Sequence, residues 1–357
     1  MKKTIIILAL AAVLVSCENT LKYVYDPTDA QVTILSALST SDTEHEIILS
    51  WTYPDKVDAL PGADVTLRVN GVAHKASEVP ADVPEDPDFY YYRNRFTIYR
   101  VNADLKPGDD VVFEADKSGK KARAGITVPS APLLISVDTA TVVRTIHYSS
   151  IFETDEFEQE YLDVTVKMKD IAGEDNWYTL NCYLEVESDF IYEGEDGAEY
   201  SVKQLAREFI SYETFGDGIL EDDYAVQKGT LLEELLPTNA MHGFSDRQFK
   251  DSDATLRFSI PSHELGRYWY VDNGYKRIES VYHLRVCLST IDHDYYNYLR
   301  GLNNMHAYGY DVSPIIEPTM LPCNVSGGYG MVSVGSSAEK VFDLGETVEL
   351  PWGGYEE

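Results

Sequence analysis

Basic residues are scarce in this chain: 29 Lys plus Arg stand against 60 Asp plus Glu, a formal net charge of −31. A field of that sign repels phosphate backbones and anionic head groups, which argues against nucleic acid as a partner. Cysteine is sparse too, with four in 357 residues, too few for a disulfide scaffold. Long apolar runs are missing except for Ile5 to Val15, and that run is too short to cross a hydrocarbon core of about 30 Å as a helix. Recognisable catalytic motifs are absent as well. His45-Glu46 and His263-Glu264 each lack the second metalloprotease histidine, because Leu49 and Arg267 hold the required offsets. There is no Gly-x-Ser-x-Gly elbow and no phosphate-binding glycine loop. The reading is therefore a non-enzymatic protein with no catalytic residue, no metal site and no cofactor.

What is present is substantial. Apolar residues make up 44% and the chain holds 26 tyrosines, which excludes a disordered acidic tail and supplies the core of two domains. Lys2 and Lys3 precede the apolar run, which ends in Leu14-Val15-Ser16-Cys17. That is a signal-peptide layout, and the Leu-x-Ser-Cys ending resembles the lipobox of bacterial lipoproteins. Residues 1–16 then form the signal peptide and Cys17 becomes the lipidated first residue of the mature chain. Two or three acyl chains on one cysteine make desorption negligible, at about 0.8 kcal/mol per buried methylene. Residues 17–30 read as a tether reaching no more than roughly 45 Å.

Residues 31–130 show short strand patterns separated by Pro61-Gly62, Asn70-Gly71, Pro107-Gly108 and Ser118-Gly119, the spacing of an immunoglobulin-like β-sandwich. Residues 131–357 read as a larger β-rich domain with short helices. In YLDVTVKM, Leu162, Val164, Val166 and Met168 share one face. Cys182 shares a face with Leu180 and Leu184, whereas Cys287 points away from Leu284, Val286 and Leu288. A 182–287 bridge is thus awkward, a 287–323 pair stays open, and reduced, mostly buried thiols are the default. Helical spacing predicts helices over Val202 to Ile210, over LLEELL behind a Thr230/Glu233 capping box, and over roughly 292 to 305 capped by Thr290 or Asp292. The fold class expected is all-β with a few short helices.

HLRVCLSTIDHDYYNYLRGL, Glu317-Pro318, CNVSGGYGMVSVGS and GFSDRQF resemble the C-terminal and mid-chain signatures of the family named domain of unknown function 4249. GADVTLRVNG, KPGDDVVFEAD and ITVPSAPLLISVD are similar to its N-terminal half. The resemblance implies a lipoprotein of Bacteroidota acting beside a TonB-dependent outer-membrane transporter, and so a partner rather than a reaction.

Two aromatic clusters are the candidate interfaces. If FYYYRNRFTIYR is one strand, Tyr91, Arg93, Arg95 and Tyr99 form an Arg/Tyr ladder on one face; Tyr268, Trp269 and Tyr270 form a second cluster beside an Asn-Gly turn. Aromatics next to arginine are enriched at protein interfaces and also stack on sugars, while cross-strand core packing is the alternative. Asp292-His293-Asp294 cannot converge on one ion from a helix and suits the helix dipole instead. The acidic loops 193–200 and 215–223 offer oxygen ligands without the order of a calcium loop. The expectation is a lipid-anchored outer-membrane protein, on its surface or periplasmic face, that binds as an accessory to a β-barrel transporter. A stand-alone glycan-binding or adhesive lipoprotein is the alternative, and a hydrolase with an unrecognised site a third.

Overall fold

The computed structural model describes residues 30–53, 56–80, 95–149, 154–193, 198–214, 217–221, 241–265, 275–308 and 321–349. Cys17 and its tether therefore lie outside the described residues. The first strands are β1 (Gln31–Ser39), β2 (Glu44–Thr52), β3 (Val57–Ala59), β4 (Asp64–Val69), β5 (Val72–Lys75), β6 (Ser77–Glu78), β7 (Thr97–Asn102), β8 (Asp110–Lys117) and β9 (Lys120–Thr127). Longer ones follow: β10 (Leu133–Ser149), β11 (Thr154–Lys169), β12 (Trp177–Glu193), β13 (Glu199–Ile210), β14 (Gly243–Ser245), β15 (Asp253–Pro261), β16 (Tyr275–Ile291) and β17 (Tyr329–Glu349). One α-helix among the described residues, α1 (His293–Tyr308), precedes β17. The protein is all-β. None of its described helices is long and apolar enough to cross a membrane.

Asn70-Gly71 and Ser118-Gly119 each hold two consecutive positive φ angles, the tight turn that matches strand twist, and so close the β4–β5 and β8–β9 hairpins. The strands form three sheets. The largest runs β13-β12-β16-β17-β1-β2-β7-β6; a four-stranded sheet runs β5-β4-β8-β9 and a three-stranded one β10-β11-β15. Alternating side chains build two separate cores. Val32, Ile34, Ile47 and Leu49 meet Leu67, Val111 and Phe113 in the first. Val164, Val166 and Met168 meet Leu180, Cys182, Leu184, Leu284 and Val286 in the second.

One strand belongs to both cores. Residues 329–335 of β17 pair in parallel with β1, and residues 336–349 pair antiparallel with β16. Val325, Val332 and Val334 thereby complete the first core from the far end of the chain. The sequence reading placed these residues with the second half.

The helix expected over Val202 to Ile210 is corrected: these residues are strand β13, paired with β12 from Cys182↔Ile210 to Glu193↔Glu199. The apolar spacing there imitates a helical stripe, but residues 199–205 are exposed on both faces, so no core face selects a helix. LLEELL lies outside the described residues. The helix near 292 forms, with Asp292 accepting a hydrogen bond from Tyr295 N at 2.9 Å, the N-cap geometry. Tyr296 and Leu299 bury one side of it against Ile291.

Candidate functional site: the outer face of the long sheet

Strands β12, β13, β16 and β17 carry the second core on one face and leave the other to solvent. Register arranges that outer face in rows. Arg207, Glu185, His283 and Asp343 form one row; Phe209, Tyr183, Arg285 and Val341 form the next; Leu205, Glu187, Val281 and Glu346 form a third. Leu205 is 72% exposed and Phe209 47%.

Glu185 is the centre of the face. Arg285 donates to both its oxygens, Nε to Oε1 at 2.9 Å and Nη2 to Oε2 at 2.8 Å, and Arg207 Nε donates to Oε1 at 2.7 Å. Burial alone would raise the Glu185 carboxyl, but the hydrogen bonds and charges of Arg285 and Arg207 outweigh it and hold the group below its ordinary range. Arg285 reaches Glu339 on β17 as well. Arg207 Nη1 donates to Asp42, in the β1–β2 turn, at 3.5 Å, so the network ties the two cores together. Charge here is fixed rather than mobile.

Beside it runs a chain of hydroxyls. Ser289 and Ser337 are hydrogen-bonded at 2.7 Å, Ser337 and Ser39 at 2.7 Å, and the Cys287 thiol lies 3.6 Å from Ser289 Oγ. Burial raises the thiols of both Cys182 and Cys287 above their ordinary value, which removes nucleophilic character. Among the described residues no hydrogen bond joins a histidine to these hydroxyls and thiols.

Toward the far end of the strands the face sinks into an open depression of about 540 Å³. Glu187, Asp189, Glu279 and Glu346 line it with one cation, Lys203. One carboxylate oxygen of Asp189 is out of contact with solvent and accepts no hydrogen bond.

A second polar cluster is a lock. Tyr178 O–H donates to Asp170 at 2.7 Å, Asn176 N donates to Asp246 Oδ2 at 2.9 Å, and Asp246 N donates back to Asn176 O at 3.0 Å. Asp246 ends the Phe244-Ser245-Asp246 element, whose three residues are all buried. That motif therefore clamps β14 onto β12 and has a structural role. Burial raises the Asp246 carboxyl and the Tyr178 hydroxyl above their ordinary values.

His242, just before β14, is 6% exposed and stacks on Tyr212 at 4.0 Å. Its Nδ1 is buried without a hydrogen bond, and burial lowers its pKa from 6.5 to about 4. The unfolded chain takes up this proton near pH 6.5, whereas the folded chain stays neutral down to about pH 4. Stability is therefore unaffected above pH 6.5 and falls as pH drops below it, at up to about 1.4 kcal/mol per pH unit and roughly 3 kcal/mol in total. Urea unfolding of the wild type and His242→Asn across pH 4 to 7 checks this; asparagine also tolerates the φ of 54° found there. The variant is expected to lose about one proton's worth of slope in that window, and parallel curves would disprove the assignment.

The expected interface residues fare unevenly. Arg95 is exposed just before β7. Tyr99 is not an interface residue: it is 2% exposed, donates its hydroxyl to Leu60 O at 2.8 Å and accepts Ala63 N at 2.8 Å. The odd positions Thr97, Tyr99 and Val101 face the first core, while Arg100 on the opposite face pairs with Glu46. An Arg/Tyr ladder through Tyr99 therefore does not form. Tyr91, Arg93, Tyr268, Trp269 and Tyr270 lie outside the described residues, as do residues 194–197, 215–216 and 222–223 of the acidic loops. Asp217 spends its oxygens on Ile219 N, Leu220 N and Arg257 N, and Asp292 on capping α1 and on Ser333. Among the described residues no three His, Cys, Asp or Glu side chains are grouped to hold a metal ion. Cys182, Cys287 and Cys323 are free thiols, the first two buried and Cys323 exposed. Sequence reasoning missed Glu185, Arg207 and Arg285, because only the register of three strands brings them together.

Comparison with known proteins adds a family. A family model described as "Domain of unknown function (DUF4249)" matches residues 18–341. No curated protein matches the chain. Among solved structures, the crystal structure of bovine butyrophilin is similar at 10% identity over 70% of this chain and 87% of that one, with a TM-score of 0.17, too low to carry an argument.

Proposed function

The chain belongs to the family described as domain of unknown function DUF4249, matched over residues 18–341, and on that premise we propose that it is a lipid-anchored envelope protein that works by binding. Its partner in this reading is an outer-membrane β-barrel transporter of the TonB-dependent kind, to which it is an accessory. The carrying observation is the outer face of β12, β13, β16 and β17. Apolar side chains stand exposed there beside side chains that hydrogen bonds already hold in place, so docking loses little side-chain entropy. Burying a side chain such as Leu205 or Phe209 against a partner contributes roughly 1.5–3 kcal/mol. The apolar segment before Cys17 supports the anchor.

Two measurements test this reading. Cys17→Ala is expected to move the protein from the membrane pellet to the soluble fraction, since the acyl chains on that cysteine are the anchor in this reading. Chemical crosslinking of intact membranes followed by mass spectrometry is expected to return a β-barrel transporter joined to residues of the outer face. A Cys17→Ala protein that still pellets would remove the anchor, and repeated recovery without a β-barrel would remove the partner.

A further inference from the structure

Strand β13 is the last strand of the large sheet, and among the described residues it pairs only with β12 along that edge. A strand left open on one side presents a row of backbone N–H and C=O groups ready for another strand. Residues 199–205 are exposed on both faces. Tyr200, Val202, Leu205 and Phe209 are all large, apolar and exposed on this one strand, a composition that leaves the edge inviting rather than blunted. Behind it the depression carries four carboxylates against Lys203, one carboxylate oxygen of Asp189 being buried without a donor.

We propose that β13 is a docking edge that accepts an extended segment of a protein partner as an added strand, with lysine or arginine side chains of that segment reaching the carboxylates of Glu187, Asp189, Glu279 and Glu346. Main-chain hydrogen bonds provide attachment in such strand addition, and alternate side chains provide choice. The apolar residues of β13 favour an alternating segment, apolar on one side and basic on the other. The sign follows from the depression and from the net charge of −31, which steers a basic segment inward and repels an acidic one. This deepens the accessory reading by naming the surface used and the chemistry of what it takes, and it rests on that reading for the partner's being a membrane neighbour.

The probe is a capped, fluorescent octapeptide of alternating lysine and valine, with its glutamate–valine counterpart as control, titrated into the full-length lipoprotein in nanodiscs. Saturable binding of the lysine peptide alone is expected, weakened at least tenfold by Glu187→Lys with Glu279→Lys, and again by Leu205→Lys. These positions are exposed or line an open surface, and unchanged melting curves establish that the variants fold. A photo-crosslinking residue placed at Ser201 is expected to capture the peptide, and one at Thr139 on β10 is not. Equal binding of the two peptides, undiminished binding by the variants, or capture from Thr139 instead of Ser201 each overturns the proposal. If membranes yield a β-barrel as readily through the Leu205→Lys chain as through the wild type, the edge is rejected and the accessory reading stands; if the lysine peptide docks as expected and no β-barrel is ever recovered, the reverse holds.

Discussion

Gly330→Ala is expected to lower stability by about 4 kcal/mol, the sum of roughly 1–3 for a forbidden backbone conformation and roughly 1–3 for overpacking. Gly330 sits at φ +115°, and a Cβ there would overlap the Ile34 carbonyl oxygen and crowd Ile34 N at 3.0 Å. The preceding glycine is in the same position, since a Cβ on Gly328 would overlap Val32 O. Gly328 directly precedes β17, and Gly330 lies in the stretch of it that runs parallel to β1. The backbones approach too closely for any side chain, so the strand must shift or leave. Leaving removes Val332 and Val334 from the first core. Gly345→Ala is the control: φ is +109° there too, but an added Cβ meets nothing within 4 Å, so only the strain of roughly 1–3 kcal/mol remains. Urea midpoints of the two variants should differ accordingly. Equal losses would mean that close approach at the β1–β17 seam contributes nothing.

Arg285→Leu is expected to cost about 3 kcal/mol near neutral pH, the low end of what removing one partner from a buried pair costs. The reduction reflects Arg207, which still donates to Glu185. The Glu185 side chain is 12% exposed and that of Arg285 19%, so solvent replaces little of the lost pairing. The pH dependence identifies the cause. Glu185 has a folded pKa held below its unfolded value of 4.5. Its contribution is therefore complete above pH 4.5 and disappears as pH falls through the folded value. Without Arg285 that depression shrinks, so the gap between wild type and variant should narrow below pH 4.5. A gap that stays constant into acid would assign the loss to packing of the arginine stem rather than to the ion pair.

The same residues show what could be read along the chain. Val164, Val166 and Met168 were assigned to one face by alternation alone, and all three are at most 1% exposed. Cys182 with Leu180 and Leu184 behaves likewise, because a strand buried on one face writes its burial into every second residue. Tyr99 shows the limit. Alternation grouped it with Arg95 on one face, but Arg95 lies exposed ahead of β7 while Tyr99 is buried, and period two names two faces without saying which is inside. Neighbouring Thr97 and Val101 resolve the matter only once β7 is seen against β2. Residues 202–210 fail for a different reason: the edge strand is exposed on both faces as far as Leu205 and turns only Ala206, Glu208 and Ile210 inward, too short a stripe to mark a strand, and chance spacing then imitates a helix.

Sequence alone determined the acidic balance, the β class, the turn positions and the lipobox-like start, because each is a local property of composition or of a few adjacent residues. Tertiary structure alone decided that β17 closes the first core, that Arg207, Glu185 and Arg285 meet, and that β13 is left at an edge. Those contacts join residues far apart in the chain, such as Ser39 and Ser337. No local pattern encodes a register between distant strands; it is set by which apolar faces can be buried together, and that is a property of the whole chain.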